Sequence, residues 1–153
     1  MDDMVFKEIA NEIKGLNNQA VRLIGQGDFS NAEALCFRAL DITQNITYFD
    51  GTAMVFYNLA NLETLRGDIL KAMAYGALCK EMHEKAQTDA TPCEELLARL
   101  AKVAIKQGVE YEKQGRLREA LECYYASAPF SGEKYRLAML KEIAMIERLI
   151  SDE

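Results

Sequence analysis

One pattern occurs three times along the chain: a glycine, a polar residue, a large apolar residue and, three positions later, an alanine. The copies are Gly27-Asp28-Phe29-Ser30-Asn31-Ala32, Gly67-Asp68-Ile69-Leu70-Lys71-Ala72 and Gly115-Arg116-Leu117-Arg118-Glu119-Ala120. Each copy closes one amphipathic pattern and opens the next. Glycine reaches positive φ without the steric cost other residues meet, and a tight turn between antiparallel helices demands that conformation. The motif therefore predicts an array of helical hairpins. Such arrays build extended surfaces, which suit binding better than chemistry.

A chain of 153 residues, half of them apolar, is about one domain's worth of sequence and can bury a core. Asp and Glu number 24 against 18 Lys and Arg, a net charge of -6. That balance disfavours nucleic acid and anionic membranes as partners, since both carry negative charge. The start, Met1-Asp2-Asp3-Met4, is acidic where a secretory signal is basic. No apolar run approaches the roughly 18 to 20 residues that span a bilayer.

Cys36, Cys79, Cys93 and Cys123 are far apart, with no Cys-x-x-Cys pair and no histidine cluster. The spacing predicts neither a disulfide framework nor a metal site, and hence reduced thiols in a cytoplasm. Cys36 and Cys123 fall on inward helix faces. Cys93 stands in a first helical turn, where the dipole favours a thiolate.

Periodicity predicts seven helices. The first covers about 3–26, with Leu16, Ala20 and Leu23 inward. The second covers 29–43, with Ala32, Leu35, Cys36, Ala39, Leu40 and Ile42 inward. Asp50-Gly51 reads as a breaker, so the third helix is placed at 52–66 and its return at 69–87. Thr91-Pro92-Cys93-Glu94 combines a capping threonine, a first-turn proline and a capping-box glutamate, the strongest helix start in the chain. That fifth helix, 91–114, carries Leu97, Leu100, Ala101, Ala104, Gly108 and Tyr111 on one face. Glycine inside a helix costs about 1 kcal/mol against alanine, so Gly108 predicts a close packing contact. The sixth, 117–128, carries Ala120, Leu121, Tyr124 and Tyr125 before Pro129 stops it. The seventh, 132–150, presents Leu137, Leu140, Ile143, Ala144, Ile146 and Leu149 or Ile150, and closes the open face of the last hairpin. Met139 and Met145 widen its stripe enough to admit a homodimer contact.

With these residues in register, the chain resembles the tetratricopeptide repeat family over roughly residues 13–130. The match lies in the small residue of each first helix (Ala20, Ala60, Gly108), the glycine turn, and the alanine opening each second helix (Ala32, Ala72, Ala120). A later small residue follows at Ala39, Cys79 and Ser127. Ala32-Glu33-Ala34-Leu35-Cys36-Phe37-Arg38-Ala39-Leu40 resembles the longer repeats of kinesin light chain. The repeats are 13–45, 52–87 and 91–128. The family's unit is about 34 residues, whereas Gly27 to Gly67 is 40 and Gly67 to Gly115 is 48. Gln44 and Glu84 replace the usual closing proline, and Gln19 and Gln107 replace a leucine kept only as Leu59. The resemblance implies an all-α fold of one domain, 1–153: three antiparallel hairpins stacked as a right-handed solenoid with lengthened helices, plus a capping helix at 132–150.

In this family the first helix of each hairpin lines a concave groove that holds a partner's peptide. Carried over by register, the groove would show Lys14, Asn17, Val21 and Ile24, then Met54, Tyr57, Asn58 and Asn61, then Lys102, Ile105, Lys106 and Val109. Arg99, Lys102, Lys106 and Lys113 also share one helix face, a basic row in an acidic protein. Asn58, Lys102 and Lys106 resemble three residues of the carboxylate clamp of cochaperones, although Asn17 and Val21 stand where that clamp has a lysine and an asparagine. The expected function is a non-catalytic adaptor or chaperone-like module that binds another protein's acidic or C-terminal peptide, with no cofactor and no metal. The alternative is a self-assembling module that dimerises through its last helix. An enzyme finds little support: His83 is the only histidine and reads as solvated surface among Lys80, Glu81, Glu84 and Lys85, and no nucleophile motif or phosphate loop is present.

Overall fold

A computed structural model describes residues 2–152, which form seven α-helices and no strand. They are α1 (Asp3–Gly25), α2 (Phe29–Thr43), α3 (Phe49–Arg66), α4 (Ile69–Ala86), α5 (Thr91–Lys113), α6 (Leu117–Ser127) and α7 (Glu133–Ser151), with a 3-10 turn at Ala128–Phe130 before α7. The chain divides into two compact units, Met1–Cys93 and Glu94–Glu153. No helix among the described residues is long and apolar enough to cross a membrane.

The three glycines of the repeated motif have φ of +78° (Gly27), +87° (Gly67) and +75° (Gly115). At each, the amide one residue past the glycine bonds back to a carbonyl in the last turn: Asp28 to Leu23 at 2.9 Å, Asp68 to Glu63 at 3.0 Å, Arg116 to Tyr111 at 2.8 Å. These bonds satisfy carbonyls that a helix end leaves open. The aspartate then starts the next helix, Asp28 accepting from Asn31 N–H and Asp68 from Lys71 N–H. Arg116 has no such oxygen. It lies over the Tyr111 ring instead, 4.7 Å from its centroid.

In the first unit, α1 pairs with α2 and α3 with α4. Ile13, Leu16, Ala20, Cys36, Ala39, Val55 and Leu59 form the central core. Small Ala20, Ala39 and Ala60 are fully buried, which lets the helices approach closely. Two polar devices are buried with them. Asn58 Nδ2 donates to Asn17 Oδ1 at 3.2 Å, tying α3 to α1. Glu63 is 2% exposed and is held by Arg66 at 3.1 Å and Lys71 at 3.7 Å, while Arg66 also reaches Glu33 at 2.6 Å. A carboxylate so deeply buried persists because cations from both sides of the α3–α4 turn compensate its desolvation.

Gly51 does not break the chain as the sequence predicts. It lies in the first turn of α3, which begins at Phe49, and the Tyr48 ring occupies the space a side chain there would need. The glycine serves packing rather than a turn.

In the second unit, Ala120, Tyr124, Ala128, Met139, Ile143 and Ile146 form a core against which Ile105 and Tyr111 of α5 pack. The contact predicted for Gly108 is the Tyr124 ring: a Cβ built on the glycine would lie 2.6 Å from Tyr124 Cε1. Two faces turn out otherwise than periodicity suggests. Tyr125 points outward. On α7 the buried residues are Met139, Ile143 and Ile146, with Ile150 beside them, whereas Leu137, Leu140, Met145 and Leu149 are about half exposed. The apolar residues wrap most of α7, and one stripe of them is enough to cover the core.

Candidate functional site

The residues expected to line a groove fall into three classes. Asn17 and Asn58 are buried and spend their amides on each other. Tyr57, Asn61 and Ile105 are half-buried. Val21 and Met54 are exposed on the first unit, and Lys102, Lys106 and Val109 on the second. No ion pair among the described residues involves Arg99, Lys102 or Lys106, while Lys113 reaches Glu110 at 3.8 Å.

Ile105 and Val109 share an open cavity of about 440 Å³ in the second unit, lined also by Tyr124, Tyr135, Met139, Glu112 and Glu142. Tyr124 Oη donates to Glu112 Oε1 at 2.6 Å. Burial, reinforced by the Glu112 carboxylate, pushes the Tyr124 phenol up. Glu142 bonds to the same Glu112 carboxylate, and that bond, with burial, raises the Glu142 carboxyl above the usual range.

The four cysteines are not the separate thiols their spacing suggests. Cys79 of α4 and Cys93 of α5 are joined as a disulfide, their Cα atoms 6.4 Å apart and 14 residues apart in sequence. Cys36 and Cys123 are free and buried. The reason for the pairing is topological. The segment after α4 brings the first turn of α5 back to Cys79. Cys79 lies seven residues before Ala86, the last residue of α4, and Cys93 two after Thr91, the first of α5.

His83 is not a solvated surface residue either. It is half-buried, four positions after Cys79 on the same face of α4, and its ring nitrogen joins the two sulfurs in a group whose donor atoms lie within 4.8 Å of one another. Its Nδ1 is 2.7 Å from Thr88 Oγ1. Gln87, at φ +57°, ends α4 and brings Thr88 back so that its N–H reaches His83 O at 3.0 Å. Asp89 then accepts from Thr91 N–H at 3.0 Å and Thr91 Oγ1 at 2.6 Å, and those bonds hold its carboxyl below the usual range. The threonine hydroxyl at the start of α5 is therefore spent on Asp89. The available sequence signal for this group was the Cys79-x-x-x-His83 spacing, read across the α4–α5 reversal to Cys93.

No protein-family model matches the chain, and no curated protein matches it either.

Proposed function

We propose that the chain is a non-catalytic binding module of tetratricopeptide-like helical hairpins that holds an acidic segment of another protein on α5 and its surroundings. The observation that carries this reading is the combination on α5. Ile105 and Val109 line an apolar hollow open to solvent, and Arg99, Lys102 and Lys106 stand exposed on the same helix without ion-pair partners. A hollow of that kind accepts an apolar side chain, and unpaired cations beside it attract carboxylates. In a molecule of net charge -6, the location of those cations gives the surface its selectivity. Val21 and Met54 offer apolar positions of their own on the first unit. We place this activity in the cytoplasm on the ground of the free thiols Cys36 and Cys123; reductant there would keep the Cys79–Cys93 pair open.

The test is affinity capture from source-cell lysate with wild type and a Lys102→Glu/Lys106→Glu variant, both shown by circular dichroism to fold. A protein retained by wild type, released by moderate salt and missing from the variant supports the reading. Identical captures by the two forms would sink it.

A second reading, self-association through α7, is favoured by the exposure of Leu137, Leu140, Met145 and Leu149. Sedimentation velocity on wild type and a Leu137→Glu/Leu140→Glu variant decides it, a monomeric wild type being the negative result.

A further inference from the structure

We propose that Cys79, His83 and Cys93 bind Zn²⁺ when the two cysteines are in their dithiol form. One donor atom from each residue lies within 4.8 Å of the other two. Both sulfurs are fully buried and His83 is half-buried, so an ion would enter past the imidazole. Two sulfurs bound at about 2.3 Å in tetrahedral geometry sit about 3.8 Å apart. The 6.4 Å between the Cα atoms accommodates that separation by side-chain rotation alone. Cys93 lies in the first turn of α5, where the helix dipole favours the thiolate a metal requires.

The histidine is prepared as well. Thr88 Oγ1 lies 2.7 Å from His83 Nδ1 and 3.5 Å from His83 O. With the hydroxyl accepting from Nδ1, the Nε2 lone pair is left to coordinate, the kind of outer hydrogen bond that orients metal-binding histidines. Two thiolates and an imidazole form a soft donor set with no carboxylate, which selects zinc over magnesium or calcium. Three donors leave the fourth tetrahedral position to water.

The ion and the disulfide exclude each other. A dithiol reductant supplies two electrons and two protons: the Cys79–Cys93 bond breaks, two S–H bonds form, and the reductant closes its own disulfide. Zn²⁺ then displaces both thiol protons to solvent. Two thiolates and a neutral imidazole balance its charge, so the buried site carries none.

The full chain, reduced with a phosphine and stripped by a chelator, is titrated with Co²⁺ as an optical reporter. The expected result is thiolate-to-cobalt charge transfer and tetrahedral d–d bands that saturate at one ion per chain and vanish when Zn²⁺ is added. Cys79→Ser and Cys93→Ser each abolish the charge-transfer intensity expected of two thiolates, His83→Ala weakens binding by about tenfold or more, and the oxidised protein gives no signal. Should a variant fail to fold, alkylation of reduced wild type decides the matter, with Zn²⁺ expected to slow modification of Cys79 and Cys93 by at least about tenfold. Reduced wild type without a tetrahedral spectrum overturns the proposal, as does a full spectrum surviving Cys79→Ser or alkylation that Zn²⁺ leaves unchanged.

Discussion

Tyr124 stands over Gly108 so closely that a methyl group on the glycine would lie 2.6 Å from its Cε1. The ring is held in place by burial, being 3% exposed, and by the bond from its hydroxyl to Glu112. Gly108→Ala gains about 1 kcal/mol of helix propensity and meets an overpacking cost of about 1–3 kcal/mol. With a ring this fixed the second term wins. Urea denaturation should show a net loss of about 1 kcal/mol, partly recovered by adding Tyr124→Leu.

The Asn17–Asn58 bond predicts a non-additive pair. Asn58→Ala strands the Asn17 carbonyl in the core and should cost about 2 kcal/mol. Replacing both asparagines with leucine removes donor and acceptor together and should cost clearly less than the sum of the single changes. A double-mutant cycle without measurable coupling would show that water satisfies one of the amides.

Glu142 gives stability a pH dependence of definite sign. Its carboxyl is raised above its ordinary value of 4.5, chiefly by its hydrogen bond with Glu112, so folding favours the protonated form. The contribution is fully present below the unfolded value and is lost as pH rises through the folded one. Glu142→Gln keeps a donor toward Glu112 and cannot ionise. Its melting temperature should exceed that of wild type at pH 8, and the advantage should shrink as pH falls toward 4.

Burial pushes the Cys36 thiol up to about 11, with Glu33 adding to the shift, and raises that of Cys123 as well. At pH 8 the Cys36 thiolate fraction is then about a hundredfold below that of an unperturbed thiol. Iodoacetamide should modify it in native protein at least that much more slowly than in urea. The same shift means stability from Cys36 is held below pH 9.0, its ordinary value, and lost as pH rises through about 11. Equal labelling rates in native and unfolded protein would exclude the buried placement.

The three hairpins were legible because each of their turns needs a residue that tolerates positive φ and glycine supplies one. Gly108 was legible because a glycine that weakens a helix calls for a packing reason. Gly51 was misleading for the opposite cause: one residue type serves both turns and close contacts, and only the position of the Tyr48 ring decides between them. On α7, apolar residues occupy more of the circumference than a core needs, so periodicity could not choose the buried stripe. Asn17 and Asn58 carry the register of a binding surface but meet across α1 and α3, a long-range pairing that spacing along one helix does not encode. The cysteine–histidine group was hidden in the same way. Its signal is split between two helices and emerges only when the chain is folded back on itself.

Gly27, Gly67 and Gly115 have one more consequence. Nothing lies within 4 Å of the Cβ that an L-residue would place at any of them, so crowding does not exclude alanine there. What excludes it is handedness, since left-handed backbone costs an L-residue about 1–2 kcal/mol. The mirror-image amino acid prefers that same region. A chemically synthesised chain with D-alanine at all three positions would shed the excess freedom of glycine in the unfolded state without backbone strain. The repeat is thus punctuated by chirality, at three points where the side chain itself is immaterial.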